Sequence, residues 1–173
     1  FGIDQVRFTN SGTESTMYAV RVARSATGKM GLLKVEGGYH GSYDPFVVSS
    51  KPSLDVIGDP ENPTPAIDSN LVPGDIYVVP FNNLNALERM FETNSSKIAC
   101  FIVEPVLENL AIVLPDAGYL EGVRALCDKY DVVLIFDEVK TGLTAGAHGA
   151  SARLGVQPDL ITLAKSIGGG LPL

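Results

Sequence analysis

The sequence predicts an α/β domain in which a mostly parallel sheet is flanked by helices in three layers. Short apolar runs that end in polar residues alternate with stretches whose apolar residues recur at helical spacing. The order strand, helix, strand at this spacing is that of parallel βαβ units. Residues 132–136 form an unbroken apolar run, which is typical of a strand buried on both faces.

The predicted elements follow one another along the chain. Residues 6–8 predict a strand, and a helix begins near Thr13 and ends before Gly28. Further strands are predicted at residues 32–35, 76–79, 99–103, 132–136 and 160–163, and further helices at residues 83–93 and 115–130. Residues 51–75 hold five prolines without an apolar period, which predicts an irregular surface segment.

The composition excludes several classes of protein. With 45% hydrophobic and 19% charged residues, the 173-residue chain is typical of a soluble globular domain. The 13 basic and 20 acidic residues give a net charge of −7 without a basic stripe, so nucleic acid is not an expected partner. No apolar run reaches the roughly 20 residues that span a bilayer, so no membrane contact is expected. Cys100 and Cys127 lack the spacing of metal ligands, which predicts buried thiols in a cytoplasmic protein and no metal site.

Polar residues collect where predicted strands end. Asp137 and Glu138 follow one apolar run, and Lys165 follows the last one. In open α/β sheets, ligands bind at the carboxyl ends of the strands. A carboxylate and an amine are therefore expected to face one cleft.

Two earlier turns add candidate ligand contacts. Ser11, Gly12 and Thr13 open a helix, where free backbone N–H groups and the positive end of the helix dipole favour an anion. A helix cap formed by Ser11 or Thr13 explains the same residues. Tyr39 and His40 lie between glycines, which let the backbone approach a ligand and present the Tyr39 ring as a stacking face.

Three classes of enzyme could use an acidic strand end. The sequence does not match a phosphate-loop hydrolase, because Ala23 and Met30 stand where the motif around Lys29 requires a glycine and a hydroxyl residue. A dinucleotide enzyme needs G-x-G-x-x-G where this chain has NSGTE. Pyridoxal phosphate needs sites for its phosphate, its ring, its ring nitrogen and its aldehyde. The helix N-terminus, an aromatic side chain, a carboxylate and a lysine amine supply those sites.

Five motifs, in order, carry a family resemblance: VRFTNSGTE, GGYHG, FIVEPV, LIFDEVKTG and PDLITLAKSIGGGLP. With them the chain resembles the large, cofactor-binding domain of class III aminotransferases of fold type I. Within that family it is similar to the branch that contains glutamate-1-semialdehyde 2,1-aminomutase. The resemblance implies that residues 1–173 form a single cofactor-binding domain, truncated at both ends, of a homodimeric enzyme.

The resemblance also implies roles for single residues. Lys165 resembles the lysine that forms a Schiff base with pyridoxal phosphate, and Asp137 resembles the partner of the pyridine nitrogen. The other implied cofactor contacts are Ser11, Gly12 and Thr13 at the phosphate, Tyr39 and Val139 on the two ring faces, His40 in the adjoining turn, and Asn109 near the phenolic oxygen. Glu104 and Glu138 are expected to support these residues through hydrogen bonds.

The implied reaction transfers an amino group between an amino donor and a keto or aldehyde acceptor, with Lys165 moving the proton at Cα. Two alternatives are an aminomutase, which moves the amine within one substrate, and a non-catalytic fragment. Two departures from the aminomutase favour an aminotransferase. Residues 49–65, SSKPSLDVIGDPENPTP, replace a loop rich in glycine and serine, and Thr144 replaces an arginine soon after the DEV-x-TG motif.

Overall fold

The computed structural model describes residues 1–67 and 74–171. Residues 68–73 of the predicted irregular segment, residue 172 at the end of the last motif, and residue 173 lie outside the described residues. The strands are β1 (Gly31–Val35), β2 (Gly58–Asp59), β3 (Asn62–Pro63), β4 (Ile76–Val79), β5 (Ile98–Val103), β6 (Val133–Asp137) and β7 (Leu160–Thr162). Five of them form one sheet in the order β4-β1-β5-β6-β7, with every neighbouring pair parallel. The predicted parallel sheet is confirmed.

The helices are α1 (Gly12–Thr27), α2 (Asp44–Val47), α3 (Leu84–Asn94), α4 (Tyr119–Tyr130), α5 (Thr141–Thr144) and α6 (Gly149–Leu154). One buried apolar cluster joins α1 to sheet residues that include Leu32 and Ile135. A second cluster joins α3 and α4 to sheet residues that include Leu33 and Phe136. Neighbouring strand residues point to opposite faces, so helices cover both faces of the sheet. The predicted three layers are therefore confirmed.

The strand predicted at residues 6–8 is wrong. This segment does not form a strand, and Val6 and Phe8 are 64% and 75% exposed. Three residues without ladder hydrogen bonds or burial gain too little to form a strand. The turn at Ser11 is therefore reached from an irregular segment.

Glycine conformations decide where two helices begin or end. The helix predicted from Pro115 begins later, at Tyr119, because Gly118 has a φ of 81° that a right-handed helix cannot contain. Helix α1 ends before Gly28 as predicted, since the φ of 70° at Gly28 ends the helix in the same way.

The strand order creates a crevice at one edge of the sheet. Strand β1 lies between β4 and β5, so the chain extends the sheet first on one side of β1 and then on the other. Ligands of open parallel sheets bind at the carboxyl ends of the strands where this direction reverses. The ends of β1 and β5 therefore mark the expected ligand site.

Lys34 is a charged residue in the otherwise apolar strand β1. Its side chain is fully buried, and Nζ donates hydrogen bonds to the backbone oxygens of Phe46 at 3.2 Å and Val48 at 2.6 Å. Burial lowers the pKa of Lys34 to about 8, and the charges of Glu36 and Glu104 oppose this shift. The fold therefore favours the neutral amine more than the unfolded chain does.

We expect the buried amine to make the free energy of unfolding rise with pH from about 8 towards the ordinary lysine pKa of 10.5. Below this window Lys34 is protonated in both states and the fold bears a buried charge; above it the amine is neutral in both. The gain is about 3 kcal/mol, at about 1.4 kcal/mol per pKa unit. Denaturant unfolding at several pH values should show this rise in the free energy of unfolding for the wild type and not for Lys34→Met. The exposed Lys97→Met is the control, and parallel curves for wild type and Lys34→Met would contradict the expectation.

Candidate active site

A cavity of about 400 Å³ opens at the carboxyl ends of the strands. Every site residue predicted from the sequence lines it: Ser11, Gly12, Thr13, Tyr39, His40, Asn109, Asp137, Val139 and Lys165. They come from the N-terminus of α1, from the last residue of β6, and from the segments that follow β1, β5, β6 and β7. The parallel sheet brings them together because all of its strands end at the same edge.

Asp137 is the last residue of β6 and is held in one orientation. Its side chain is 5% exposed, and Oδ2 lies 2.8 Å from Nδ1 of His40. Oδ1 accepts hydrogen bonds from the Val139 backbone N–H at 3.1 Å and from the Thr162 hydroxyl at 3.2 Å. His40 is 2% exposed, so solvent does not compete for its ring, and Nδ1 bonds this carboxylate directly. A cationic or N–H group in the cavity would meet a fixed carboxylate.

Glu104 connects two loops of the cavity. It is 4% exposed at the end of β5, and its oxygens accept hydrogen bonds from the Tyr39 backbone N–H at 3.1 Å and the Asn109 amide at 3.4 Å. Burial raises the pKa of Glu104, while the His40 charge and the Tyr39 hydrogen bond oppose this shift. Glu104 thus makes the supporting hydrogen bonds predicted for it, at the reversal point between β1 and β5.

Glu138 is fully buried beside Asp137 and also supports the site from outside the cavity. Its carboxylate accepts hydrogen bonds from the backbone N–H groups of Ala150 at 2.5 Å and Ser151 at 2.9 Å. These N–H groups belong to the first turn of α6, where a carboxylate is favoured. Glu138 therefore attaches α6 to the end of β6.

The N-terminus of α1 combines a helix cap with free donors. Ser11 is the cap, because its hydroxyl oxygen accepts a hydrogen bond from the Glu14 N–H at 3.2 Å. The N–H groups of Gly12 and Thr13 make no hydrogen bond to another described residue. Both remain available to an anion in the cavity, so capping and anion binding are compatible here.

Gly41 allows the loop after β1 to approach α1 closely. Its φ is +104°, and a Cβ there would lie 2.5 Å from Oγ1 and 2.9 Å from Cα of Thr13. We expect Gly41→Ala to lower the free energy of unfolding by about 3 kcal/mol through backbone strain and overpacking.

Gly155→Ala is the matched control for Gly41→Ala. Gly155 has a φ of +71°, and a Cβ there would meet nothing within 4 Å. Backbone strain alone predicts a loss of about 1 kcal/mol for the control. Denaturant unfolding measures both variants, and equal losses would show that the contact with Thr13 is not tight.

Lys165 has an unusual backbone. It lies just beyond the end of β7, next to Ala164, and is the first residue of a short 3₁₀ helix, Lys165–Gly168. The φ of Lys165 is 53°. A non-glycine residue in the left-handed region is uncommon, and such residues occur often at functional sites. The site prediction from the sequence contained no signal for this conformation.

Thr16, Thr162 and Lys140 are among the site residues that sequence reasoning missed. Thr16 lines the cavity and donates a hydrogen bond from its hydroxyl to the His40 backbone oxygen at 2.8 Å. Thr162 bonds Asp137, and Lys140 lines the cavity beside Val139. Thr16 could have been found, because it lies one helical turn after Gly12.

Neither thiol belongs to the site. Cys100 and Cys127 are both buried, as predicted. Burial raises the pKa of Cys100 to about 12 and that of Cys127 further, so neither forms a reactive thiolate. Among the described residues, no helix has the length and apolar character needed to cross a membrane.

A parallel α/β sheet with a buried aspartate, a lysine and an open helix N-terminus around one cavity is typical of a pyridoxal phosphate domain. A family model described as aminotransferase class-III matches residues 1–173, and the chain belongs to this family. The resemblance found in the sequence motifs is confirmed.

Relatives of two kinds match the chain. It is 45% identical over 172 residues to glutamate-1-semialdehyde 2,1-aminomutase of Myxococcus xanthus (strain DK1622), covering 99% of this chain and 39% of that protein. The solved omega-transaminase from Sphaerobacter thermophilus is 36% identical with a TM-score of 0.91, covering 98% of this chain and 39% of that one. A solved transaminase with PLP bound is 31% identical with a TM-score of 0.87 at the same coverage. The chain thus spans 39% of the length of each relative.

The residues of the cavity fit pyridoxal phosphate. Two free N–H groups at the start of α1 suit a phosphate, and the Asp137 carboxylate suits a protonated ring nitrogen. Lys165 lines the same cavity, and its amine is the group that reacts with an aldehyde. The volume of about 400 Å³ lies in the range of small-molecule sites.

Proposed function

We propose that this chain is the cofactor-binding domain of a pyridoxal phosphate enzyme that transfers an amino group between an amino donor and a keto or aldehyde acceptor. One observation carries the proposal: in a class III aminotransferase chain, Asp137, Lys165 and the N-terminus of α1 open on one cavity. The family membership alone supports two further proposals, that the enzyme is a homodimer and that it works in the cytoplasm.

Named residues would hold each part of the cofactor. The hydroxyl and N–H groups of Ser11, Gly12 and Thr13 would hold the phosphate, with the helix dipole adding to the attraction. Tyr39 and Val139 would enclose the ring. The Asn109 amide would contact the phenolic oxygen, and the Lys165 amine would meet the aldehyde.

When bound, pyridoxal phosphate supplies an aldehyde that joins amines covalently and a ring that accepts the electrons of a broken Cα–H bond. The Asp137 carboxylate holds a proton at the ring nitrogen, and its burial strengthens that attraction. His40 keeps the carboxylate oriented through the hydrogen bond at 2.8 Å. The free Lys165 amine would accept the proton from the substrate Cα and deliver it to the former aldehyde carbon of the cofactor, so that the amino group would stay with the cofactor when water releases the keto or aldehyde product.

The identity with the Myxococcus xanthus aminomutase supports a second candidate function, in which one substrate both gives and receives the amine. The substitution at Thr144 and the altered segment 49–65 support the aminotransferase instead. The two candidates use the same residues for the cofactor and differ in whether the amine leaves with a second molecule.

Isotope transfer distinguishes the two candidates. The full-length protein is incubated with pyridoxal phosphate, ¹⁵N-labelled amino donors and separate keto acids or aldehydes. An aminotransferase moves the label to the added acceptor. An aminomutase moves it only within glutamate 1-semialdehyde supplied alone. Failure of both transfers in a protein that folds would overturn the proposed function.

A further inference from the structure

Lys140 is a second lysine in the wall of the cavity. It follows Val139 directly, lines the cavity, and is only half-buried. Its Nζ donates a hydrogen bond to Oδ1 of Asn109 at 2.8 Å. The steps assigned to Asp137 and Lys165 above make no use of this cation.

Asn109 holds the Lys140 amine in place. The other end of its amide donates to Glu104 at 3.4 Å, so Asn109 is itself held at both ends. A long lysine side chain loses entropy when it binds a ligand, and a preformed hydrogen bond reduces that loss. The amine is therefore positioned in advance.

The charge of Lys140 is not neutralised by a neighbouring acid. In the described ranges, no aspartate or glutamate oxygen lies within 4.0 Å of its Nζ. An ammonium has three N–H donors, and only the bond to Asn109 is found among residues 1–67 and 74–171. Two donors therefore remain for a ligand.

The other charges of the cavity favour one orientation of an anionic ligand. The carboxylates of Glu104 and Asp137 are almost completely buried and repel a carboxylate from the deep part of the cavity. In the proposed reaction the Lys165 amine either joins the cofactor or moves the proton at the substrate Cα, so it does not serve as a partner for a carboxylate. Lys140, which is more exposed than the two acids, is the remaining lysine among the described residues of the lining.

We propose that Lys140 determines substrate specificity by binding a carboxylate of the amino donor or of the carbonyl acceptor. The enzyme therefore prefers substrates that carry a carboxylate over uncharged amines and aldehydes of the same length. This inference rests on the proposed amino transfer and adds the chemical class of its substrates.

The test uses the full-length protein loaded with pyridoxal phosphate. Butyrate and butanol, which do not react, are titrated as probes, and binding is read from the cofactor absorbance and from competition with amino donors. Lys140→Gln keeps a donor for Asn109 and removes the charge. We expect it to weaken butyrate binding about 10- to 100-fold, the range for hydrogen bonds to charged groups, and to leave butanol binding unchanged. Lys140→Arg should restore part of the preference, and Lys97→Met is the control.

The outcomes separate this inference from the proposed function. If Lys140→Gln keeps the wild-type preference for butyrate while borohydride still fixes the cofactor to Lys165, the inference is wrong and the proposed function stands. If Lys140→Gln shifts only the pH titration of the cofactor absorbance, the cation serves the cofactor and the inference is again wrong. If the wild type binds no cofactor, the proposed function is wrong, and the inference, which rests on it, is wrong as well.

Discussion

Lys165→Ala lowers the rate of amino transfer by about 10³-fold or more. The substitution removes the amine that would join the cofactor aldehyde and would also move the proton at the substrate Cα, and proton transfer alone accounts for about 10²- to 10⁴-fold. Single-turnover absorbance measurements with a saturating amino donor give the rate. Activity within tenfold of the wild type would contradict the role of Lys165.

The exposed Lys97, which does not line the cavity, supplies the control for Lys165→Ala. Lys97→Ala removes the same side chain and should leave the rate unchanged. Alanine and lysine carry the same strain at the φ of 53° at position 165, so we expect the unfolding transition of Lys165→Ala to stay close to that of the wild type. A loss of rate without a loss of stability locates the effect in the chemistry.

Asp137→Asn should lower the rate by about 10²- to 10³-fold, the usual effect of removing one preorganised electrostatic contact. Asparagine has the same shape and can still accept the hydrogen bonds from Val139 and Thr162, but it carries no charge to hold a proton at the ring nitrogen. The amide also replaces the charged acceptor of His40. Rate measurements and cofactor absorbance spectra should change together.

Asp131→Asn is the matched control for Asp137→Asn. The Asp131 side chain is 94% exposed, and its φ of 53° is a conformation that asparagine tolerates well. We expect no change in rate for this variant. A similar loss of rate in both variants would show that the charge at Asp137 has no special role.

The sheet could be predicted because its strands carry strong local signals. Residues 132–136 and 99–103 are apolar runs with a polar residue at the end, and both became central strands with buried side chains. Residues 6–8 carry a weaker signal of the same kind. The strand predicted there does not form, because the pattern does not show whether a partner strand is available. Without a partner strand the segment stays at the surface, and Phe8 is 75% exposed.

The residues of the site could be predicted for a topological reason. Strands that run parallel place their final residues at one edge, so Tyr39, Asp137 and Lys165, which end or closely follow their strands, line one cavity. The individual contacts at this edge follow no such rule. The bond between Thr162 and Asp137 depends on the register of β6 and β7, which pairs these two residues.

The contact of Lys140 with Asn109 was beyond sequence reasoning because it depends on an unusual loop. Leu107 and Val113 exchange two backbone hydrogen bonds, at 3.0 and 3.1 Å, and close the loop that carries Asn109. Ala111 and the β-branched Ile112 both have a φ of 64° in this loop. Consecutive left-handed residues of these types are rare, and the conformational preferences of alanine and isoleucine do not predict them.

Borohydride reduction identifies the lysine that forms an imine with the cofactor. The full-length protein is incubated with pyridoxal phosphate, reduced, digested, and mapped by mass spectrometry. We predict one stable cofactor adduct, on the peptide that contains Lys165, with the peptide that contains Lys140 unlabelled. An adduct on Lys140, or no adduct in a folded protein, would contradict it.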